Sequence, residues 1–261
     1  MNFLISNDDG IDARGIRELT KALSTIGTCY VFAPAEQQSA MSHAISMRRP
    51  LDVKEYTDVE GAKEAYSVTG TPADCVRLGD FILREKGIQV DMVVGGINHG
   101  GNLGTDTIYS GTISVAMEGN IIGYPAVAVS VCSHEASHFD YACDLALGII
   151  KASLGQLGPD TTVSINVPDL PGDEIKGVKV LKLGPRNYQD KYVLTDTQNG
   201  VKTYKFESDI PDPSAELPEN LDVVGAHMGY ATVTPLLHDY TDCGLMEAAE
   251  AWTRDALKHC K

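Results

Sequence analysis

Asp8 and Asp9 are adjacent acids that directly follow a short apolar stretch at the start of the chain. Residues 2–6 (NFLIS) predict a β-strand, and helical periodicity starts near Ala13, so the two carboxylates lie at the carboxyl end of a strand. Open α/β sheets bind their ligands at that end. Adjacent carboxylates repel each other, and a cation between them removes the repulsion. The pair therefore favours a metal site, with an ordinary Asp-Gly turn as the alternative.

A polar, glycine-rich loop between residues 93 and 119 is the second stretch that could do chemistry. It joins a predicted strand (90–94) to a predicted helix (112–122), and its glycines allow a ligand to approach the backbone closely. The first turn of a helix presents unpaired N–H groups to an anion. A long flexible loop is the alternative interpretation. We predict a phosphate site here, and the residues that would hold the phosphate oxygens are Asn102, Ser110, Gly111 and Thr112.

Strands and helices alternate through the first part of the chain, which predicts an α/β fold with a mostly parallel, Rossmann-like sheet and helices on both faces. Thr71-Pro72-Ala73-Asp74 has the pattern of a capping box and predicts the start of a helix. We assign residues 1–185 to this α/β catalytic core. The other predicted elements are strands at 28–32, 126–131 and 162–167, a small hairpin at 51–56 and 64–68, and a helix at 133–154.

The character of the sequence changes beyond residue 185. Gln198-Asn199-Gly200 between polar strands at 191–196 and 201–207 is a strong hairpin signal. A proline-rich linker (211–220) follows, and then a predicted helix (221–228), strand (230–234) and final helix (242–259). We assign residues 186–261 to a projecting β-hairpin and a C-terminal arm, which suit exchange between subunits in an oligomer.

Composition excludes several classes of function. With 21 Lys and Arg against 36 Asp and Glu, the formal net charge is −15, which argues against binding to a nucleic-acid duplex or a membrane surface. The N-terminus lacks the pattern of a signal peptide, and no apolar run approaches a membrane span. Six cysteines without a CxxC pair are typical of reduced thiols. We therefore expect a cytoplasmic protein.

Several motifs occur in an order that resembles a known family. They are SNDDGI at 6–11, AP at 34–35 with QQSA at 37–40, TPADCV at 71–76, GINHGGN and YSGT within 96–112, and GYATVTPL at 229–236. Together, over nearly the whole chain, they resemble the SurE survival-protein family of metal-dependent nucleoside-monophosphate phosphatases. Ala40 stands where glycine is expected, and Ala231-Thr232 where Val-Ser is commoner. Neither departure touches a candidate ligand.

The resemblance implies one divalent cation per subunit, Mg²⁺ or Mn²⁺, held by Asp8, Asp9, Ser39 and Asn98. An all-oxygen ligand set suits these ions better than zinc. It also implies hydrolysis of nucleoside 5′-monophosphates, and of 3′-monophosphates as a second class, by a homodimer or homotetramer with exchanged arms. Asp8 and Asp9 are the candidate catalytic residues. The nucleophile is either water activated by the cation or one of these aspartates, and we favour water because both acids are committed as ligands.

Two alternatives remain open. His134-Glu135-Ala136-Ser137-His138 matches the H-E-x-x-H signature of zinc peptidases, in which both histidines bind zinc from one helix. We predict Ser133 as the N-cap of that helix, which places the motif in its first turn and disfavours a zinc site. The other alternative is a nucleotide-binding regulator with the same phosphate loop and no turnover. Phosphate release from a nucleotide and peptide cleavage separate the three functions.

Overall fold

The computed structural model describes residues 1–186, 188–209, 212–215 and 217–257. Its strands are β1 (Asn2–Ser6), β2 (Thr28–Pro34), β3 (Val53–Tyr56), β4 (Ala62–Val68), β5 (Met92–His99), β6 (Ala126–Val131), β7 (Thr162–Val167), β8 (Val178–Val180), β9 (Gln189–Gln198), β10 (Val201–Asp209) and β11 (Ala231–Leu236). Its α-helices are α1 (Arg14–Leu23), α2 (Pro72–Glu85), α3 (Gly111–Ile121), α4 (Asp140–Ser153), α5 (Asp222–His227) and α6 (Met246–Leu257). Short 3₁₀-helices cover Gly104–Ile108, Pro213–Ala215 and Cys243–Leu245.

The central sheet has nine strands within the described residues, in the order β3-β4-β2-β1-β5-β6-β7-β11-β8. The six strands β4, β2, β1, β5, β6 and β7 are parallel to one another, while β3 runs antiparallel to β4 and β11 runs antiparallel to β7. β1 lies between β2 and β5, so the chain segments that follow these three strands leave one edge of the sheet together. The predicted mostly parallel α/β fold is confirmed.

Helices cover both faces of the sheet because the side chains of its strands alternate. Phe3 and Ile5 of β1 belong to the apolar cluster that includes buried residues of α1 and α4. Leu4, between them, belongs to the cluster with buried residues of α2 and α3. Burial on both faces explains why the central strands are almost continuously apolar in sequence.

The hairpin β9–β10 forms a separate two-stranded antiparallel sheet, as the sequence predicted. Asn199 and Gly200 connect its strands with φ angles of 51° and 80°, the conformation that an Asn-Gly hairpin turn requires. After the hairpin, β11 returns to the central sheet between β7 and β8. α6 then ends the described chain and has no buried residue. The domain boundary at residue 185, the linker and the exchange of the arm stay predictions, and His259 lies outside the described residues.

One predicted helix is wrong at its start. The helix predicted from Ser133 begins at Asp140 as α4, so Ser133 is not its N-cap. The carboxylate of Asp169 accepts the backbone N–H groups of Ser137 and His138 at 3.0 and 2.9 Å. These donors are thereby satisfied outside a helix, and residues 133–139 form a turn at His134 and Glu135 followed by an irregular segment instead. The H-E-x-x-H motif consequently does not lie on a helix.

Strand β5 extends further than predicted, through Gly95 and Gly96 to His99. Its pairing with β6 is irregular between Gly95 and Asn98 and resumes at Asn98. Asn98 is therefore one of the last residues of the strand and does not lie in a following loop. Strand β8 was not predicted.

The described cysteines, Cys29, Cys75, Cys132, Cys143 and Cys243, are free thiols, while Cys260 lies outside the described residues. Burial raises the pKa of the Cys29 thiol to about 12, which makes it unreactive at neutral pH. No helix in the described part of the chain is both long enough and apolar enough to span a membrane.

Candidate active site

Asp8 lies at the carboxyl end of β1, where its side chain meets the first turn of α3. The Thr112 hydroxyl donates to Asp8 Oδ1 at 2.5 Å, and Asp8 is almost fully buried. Gly111 permits this approach, because a Cβ atom there would lie 2.6 Å from Asp8 Cβ. The predicted acid site and the predicted anion site are therefore one site. That contact between residues 104 positions apart has no counterpart in the local sequence pattern.

The ionisation of Asp8 reflects this enclosed position. Burial raises the pKa of its carboxyl to about 6, and the charge of neighbouring Asp9 adds to the rise, while the hydrogen bond from Thr112 opposes it. In this environment a carboxylate pair gains from a cation that neutralises both members. The chemistry of the two acids thus fits a hard divalent ion.

Asp9 is oriented by His99, the last residue of β5. Its Oδ2 atom accepts the backbone N–H of His99 at 2.9 Å and lies 3.1 Å from His99 Nδ1. The His99 ring in turn packs edge-on against Phe139, with 5.3 Å between the ring centroids. Sequence analysis did not single out His99. Its position beside Asn98 in the GINHGG motif was the one available signal.

Asn98 is buried at the end of β5, next to β1 in the sheet. Its Nδ2 donates to the carbonyl oxygen of Gly100 at 2.7 Å. The side-chain nitrogen is thereby engaged, and the amide oxygen is the atom that remains for a cation. This arrangement agrees with the predicted ligand role, which stays a prediction.

Ser39 lies in the loop after β2 and is exposed. The backbone N–H of Gln38 donates to the carbonyl oxygen of Asp8 at 2.7 Å, which places this part of the loop against the acid pair. Further along the loop, His43 Nε2 lies 2.6 Å from Glu118 Oε2 of α3, and the Glu118 side chain is buried. The loop is thus tied to both elements of the site, and the role of Ser39 as a ligand stays a prediction.

The start of α3 has the features of an anion site. Ser110 is its N-cap, and Ser110 Oγ accepts the backbone N–H of Ile113 at 3.0 Å. The Thr112 hydroxyl donates to Asp8, whereas Ser110 Oγ only accepts a hydrogen bond and keeps its proton to donate. The Ser110 hydroxyl and the backbone N–H groups of Gly111 and Thr112 are therefore the donors suited to an incoming phosphate, and all three residues stay predicted phosphate-binding residues.

Asn102 has structural contacts that its sequence context did not indicate. Its Nδ2 donates to Ser130 Oγ at 2.8 Å, and its backbone N–H donates to Asn166 Oδ1 at 2.7 Å. These bonds hold the glycine-rich loop on β6 and β7. The predicted phosphate contact of Asn102 stays a prediction, with its amide nitrogen engaged elsewhere in this conformation.

The geometry of the H-E-x-x-H motif does not match a zinc peptidase. His134, Glu135 and His138 lie in the turn region before α4, where all three are exposed. His138 Nδ1 lies 3.0 Å from Asp169 Oδ1. Among the described residues, no group of three or more His, Cys, Asp or Glu side chains is arranged to hold a metal ion. Asp8 and Asp9 remain the acid pair that fits a cation, with neutral oxygen donors around it.

Comparisons with known proteins show relatives over nearly the whole chain. The family model described as "Survival protein SurE" matches residues 3–190. The chain is 38% identical over 255 residues to the 5′-nucleotidase SurE of Aeromonas hydrophila, covering 97% of this chain and 98% of that protein. It is 41% identical over 245 residues to the 5′-nucleotidase SurE of Gloeobacter violaceus, covering 92% and 91%.

A solved structure extends the likeness to the fold. The crystal structure of the SurE protein from Aquifex aeolicus matches with a TM-score of 0.84 and 34% identity, covering 97% of this chain and 100% of that chain. With the family model matching most of the sequence and relatives matching nearly all of it, the chain belongs to the SurE family.

Proposed function

We propose that this protein hydrolyses nucleoside 5′-monophosphates to nucleoside and phosphate, accepts 3′-monophosphates as a second class, and depends on a divalent cation. The observation that carries the proposal is the bond from Thr112 to Asp8, which joins an acid pair to the N-terminus of α3. Its relatives named 5′-nucleotidase SurE, at about 40% identity over nearly their full length, support the same reaction.

Asp8, Asp9, Ser39 and Asn98 are the residues that would hold the cation, either Mg²⁺ or Mn²⁺, one per subunit. They fit such an ion because they offer two carboxylates and neutral oxygens, and the set contains neither a sulfur ligand nor an imidazole ligand. Burial and mutual repulsion disfavour two negative charges on Asp8 and Asp9 unless a cation is present. When bound, the ion supplies Lewis-acid polarisation of the phosphoryl group and lowers the pKa of water for attack.

The protein's own residues position the substrate. The backbone N–H groups at the start of α3 would bind the phosphoryl oxygens, with the positive end of the helix dipole behind them. Because the chain has a net charge of −15, this local positive potential is needed for a nucleotide to approach. Thr112 and His99 hold Asp8 and Asp9 in fixed orientations, which supports ligation by both acids and water as the nucleophile.

We also propose that the protein is a homodimer or homotetramer and functions in the cytoplasm. The hairpin β9–β10 exposes Tyr192 and Phe206, and α6 exposes Trp252, which are large apolar groups suited to burial between subunits. The free thiols of the described cysteines support a reducing compartment.

Phosphate release from 5′-AMP and 3′-AMP, measured with Mg²⁺, with Mn²⁺ and with EDTA, tests the function. Release that requires a divalent ion is the expected result. Nucleotide binding without phosphate release would identify a regulator instead, and metal-dependent cleavage of casein with no release from nucleotides would identify a peptidase.

A further inference from the structure

A cavity of about 880 Å³ lies beside the candidate metal site. We call it the side cavity. The lining residues on which the argument depends are Gly100, Gly101, His134, Arg186 and Tyr188. Its size is within the range of pockets that hold small organic ligands. The roles assigned so far to the acid pair and to α3 do not use it.

The side cavity begins at Gly100, two residues after the candidate metal ligand Asn98. Gly100 has a φ angle of +121°, and a Cβ atom on it would lie 3.0 Å from His134 Cε1 and 3.7 Å from Asn98 Nδ2. The imidazole of His134 and the amide of Asn98 thus both lie close to the Cα of Gly100. Only glycine, which has no side chain, leaves the space between them empty. A substrate whose phosphate is bound at the cation site therefore has the side cavity next to it.

Another part of the cavity wall carries planar groups held in place by Asp106. Arg186 Nε lies 2.8 Å from Asp106 Oδ2, and the Tyr188 hydroxyl donates to the same oxygen at 2.6 Å. The Arg186 guanidinium lies 5.6 Å from the centroid of the Tyr188 ring. A fixed guanidinium and an aromatic ring are surfaces on which a nucleobase stacks.

The charges around the side cavity are paired. Asp106 is paired with Arg186, and two further lining acids, Asp169 and Asp212, lie 3.0 Å from His138 and His227. A wall with several acids and, among the lining residues that the structure describes, no unpaired lysine or arginine disfavours a second anionic group. It favours an uncharged, planar group such as a base.

From this placement we infer that the side cavity holds the nucleoside of the substrate, with the base in contact with His134 and with Arg186 and Tyr188. The inference rests on the proposed nucleotidase function and adds the residues that select a nucleotide over other phosphate monoesters. His134 thereby becomes a substrate-binding residue rather than part of a zinc site.

The test compares two substrates in the His134→Ala variant. Ribose 5-phosphate has the sugar and phosphate of 5′-AMP but lacks the base, so the ratio of kcat/KM for the two compounds reports contacts with the base. We expect His134→Ala to lower kcat/KM for 5′-AMP about tenfold, mainly through KM, and to leave ribose 5-phosphate within about twofold of the parent. His138→Ala is the matched control, because His138 is an exposed histidine of the same segment and does not line the cavity. It should leave the ratio unchanged.

A second variant, Tyr188→Leu, removes an aromatic ring from the cavity wall and should change the ratio in the same direction. Equal losses for both substrates, or an unchanged ratio in both variants, would overturn the inference while leaving the nucleotidase function intact. A parent protein that releases phosphate from neither compound with Mg²⁺ or Mn²⁺ would instead overturn the proposed function.

Discussion

The Thr112 hydroxyl donates to Asp8 Oδ1 at 2.5 Å, so the first turn of α3 and the end of β1 form one polar site. Both residues are buried, and Thr112 is completely inaccessible. Hydrogen bonds to charged groups contribute about 1.5–3 kcal/mol each, so the orientation of Asp8 depends strongly on this contact.

The Thr112→Val variant should therefore lose most activity while keeping the fold, because valine has nearly the same shape and lacks the hydroxyl. We expect a loss of about tenfold to a hundredfold in kcat/KM for 5′-AMP, with a higher Mg²⁺ concentration for half-maximal rate. Thr112→Ser, which keeps the hydroxyl, should retain more of the activity. Parental kinetics in the valine variant would show that the contact does not matter for turnover.

His99 should affect metal use more than fold stability. His99→Phe keeps a ring against Phe139 and removes the Nδ1 atom beside Asp9, while the backbone N–H still donates to Asp9. The expected result is an increase of several-fold to about tenfold in the Mn²⁺ concentration for half-maximal rate, smaller than the effect of changing Asp9 itself. His138→Ala serves as the control. An unchanged metal requirement would exclude the ring of His99 from positioning Asp9.

Asp74 should contribute to stability rather than catalysis. It completes the predicted capping box of α2, since the backbone N–H of Thr71 donates to Asp74 Oδ2 at 2.9 Å and that of Ser46 donates to Oδ1 at 2.8 Å. Burial opposes the charge of Asp74, but these backbone donors outweigh it and lower the pKa of the carboxyl. Replacing Asp74 by alanine should cost about 1–2 kcal/mol of unfolding free energy at pH 7.

The stabilisation by Asp74 should decrease as the pH falls. A lowered folded pKa stabilises the protein above the unfolded value of 3.8, and the stabilisation is lost as the pH falls through the lower folded value. The difference between the parent and Asp74→Ala should therefore be full at pH 7 and smaller at pH 3 in urea unfolding. Alanine at the exposed Asp52 is the control. A difference that grows on acidification would contradict the assignment.

The hairpin should govern assembly. Tyr192 and Phe206 pack against each other across β9–β10, with 5.3 Å between their ring centroids, and both remain exposed. Changing both to aspartate should lower the oligomeric mass measured by light scattering, with the circular dichroism of the core preserved. Lys202→Asp, an exposed change on the same hairpin, should leave the mass unaffected. A full-sized oligomer in the double variant would exclude this face as a subunit contact.

Local sequence patterns predicted the elements whose causes are local. β1, β6 and β7 have the predicted bounds because each is a short, almost entirely buried segment with apolar residues on at least one face of the sheet. The capping box at Thr71 and the hairpin turn at Asn199 also formed as predicted, since each depends on residues within four positions.

Long-range contacts account for what the sequence did not predict. α4 begins late because Asp169, about thirty residues away, accepts the backbone donors before it. Gly95 stays in strand β5 because it packs on α3, where a Cβ atom would lie 2.6 Å from the carbonyl oxygen of Thr112. The roles of His99 and of the Thr112 hydroxyl likewise depend on neighbours that only the folded chain brings together.

Replacing Asp8 or Asp9 tests the proposed cation-dependent reaction most directly. Asp8→Asn and Asp9→Asn each keep the size of the side chain and remove one charge from the candidate cation site. We expect each variant to lose at least about a hundredfold in kcat for 5′-AMP at saturating Mn²⁺, with an unchanged circular dichroism spectrum, because a lost ligand removes several kcal/mol of transition-state stabilisation. Near-parental turnover by both variants would contradict a cation-dependent reaction at Asp8 and Asp9.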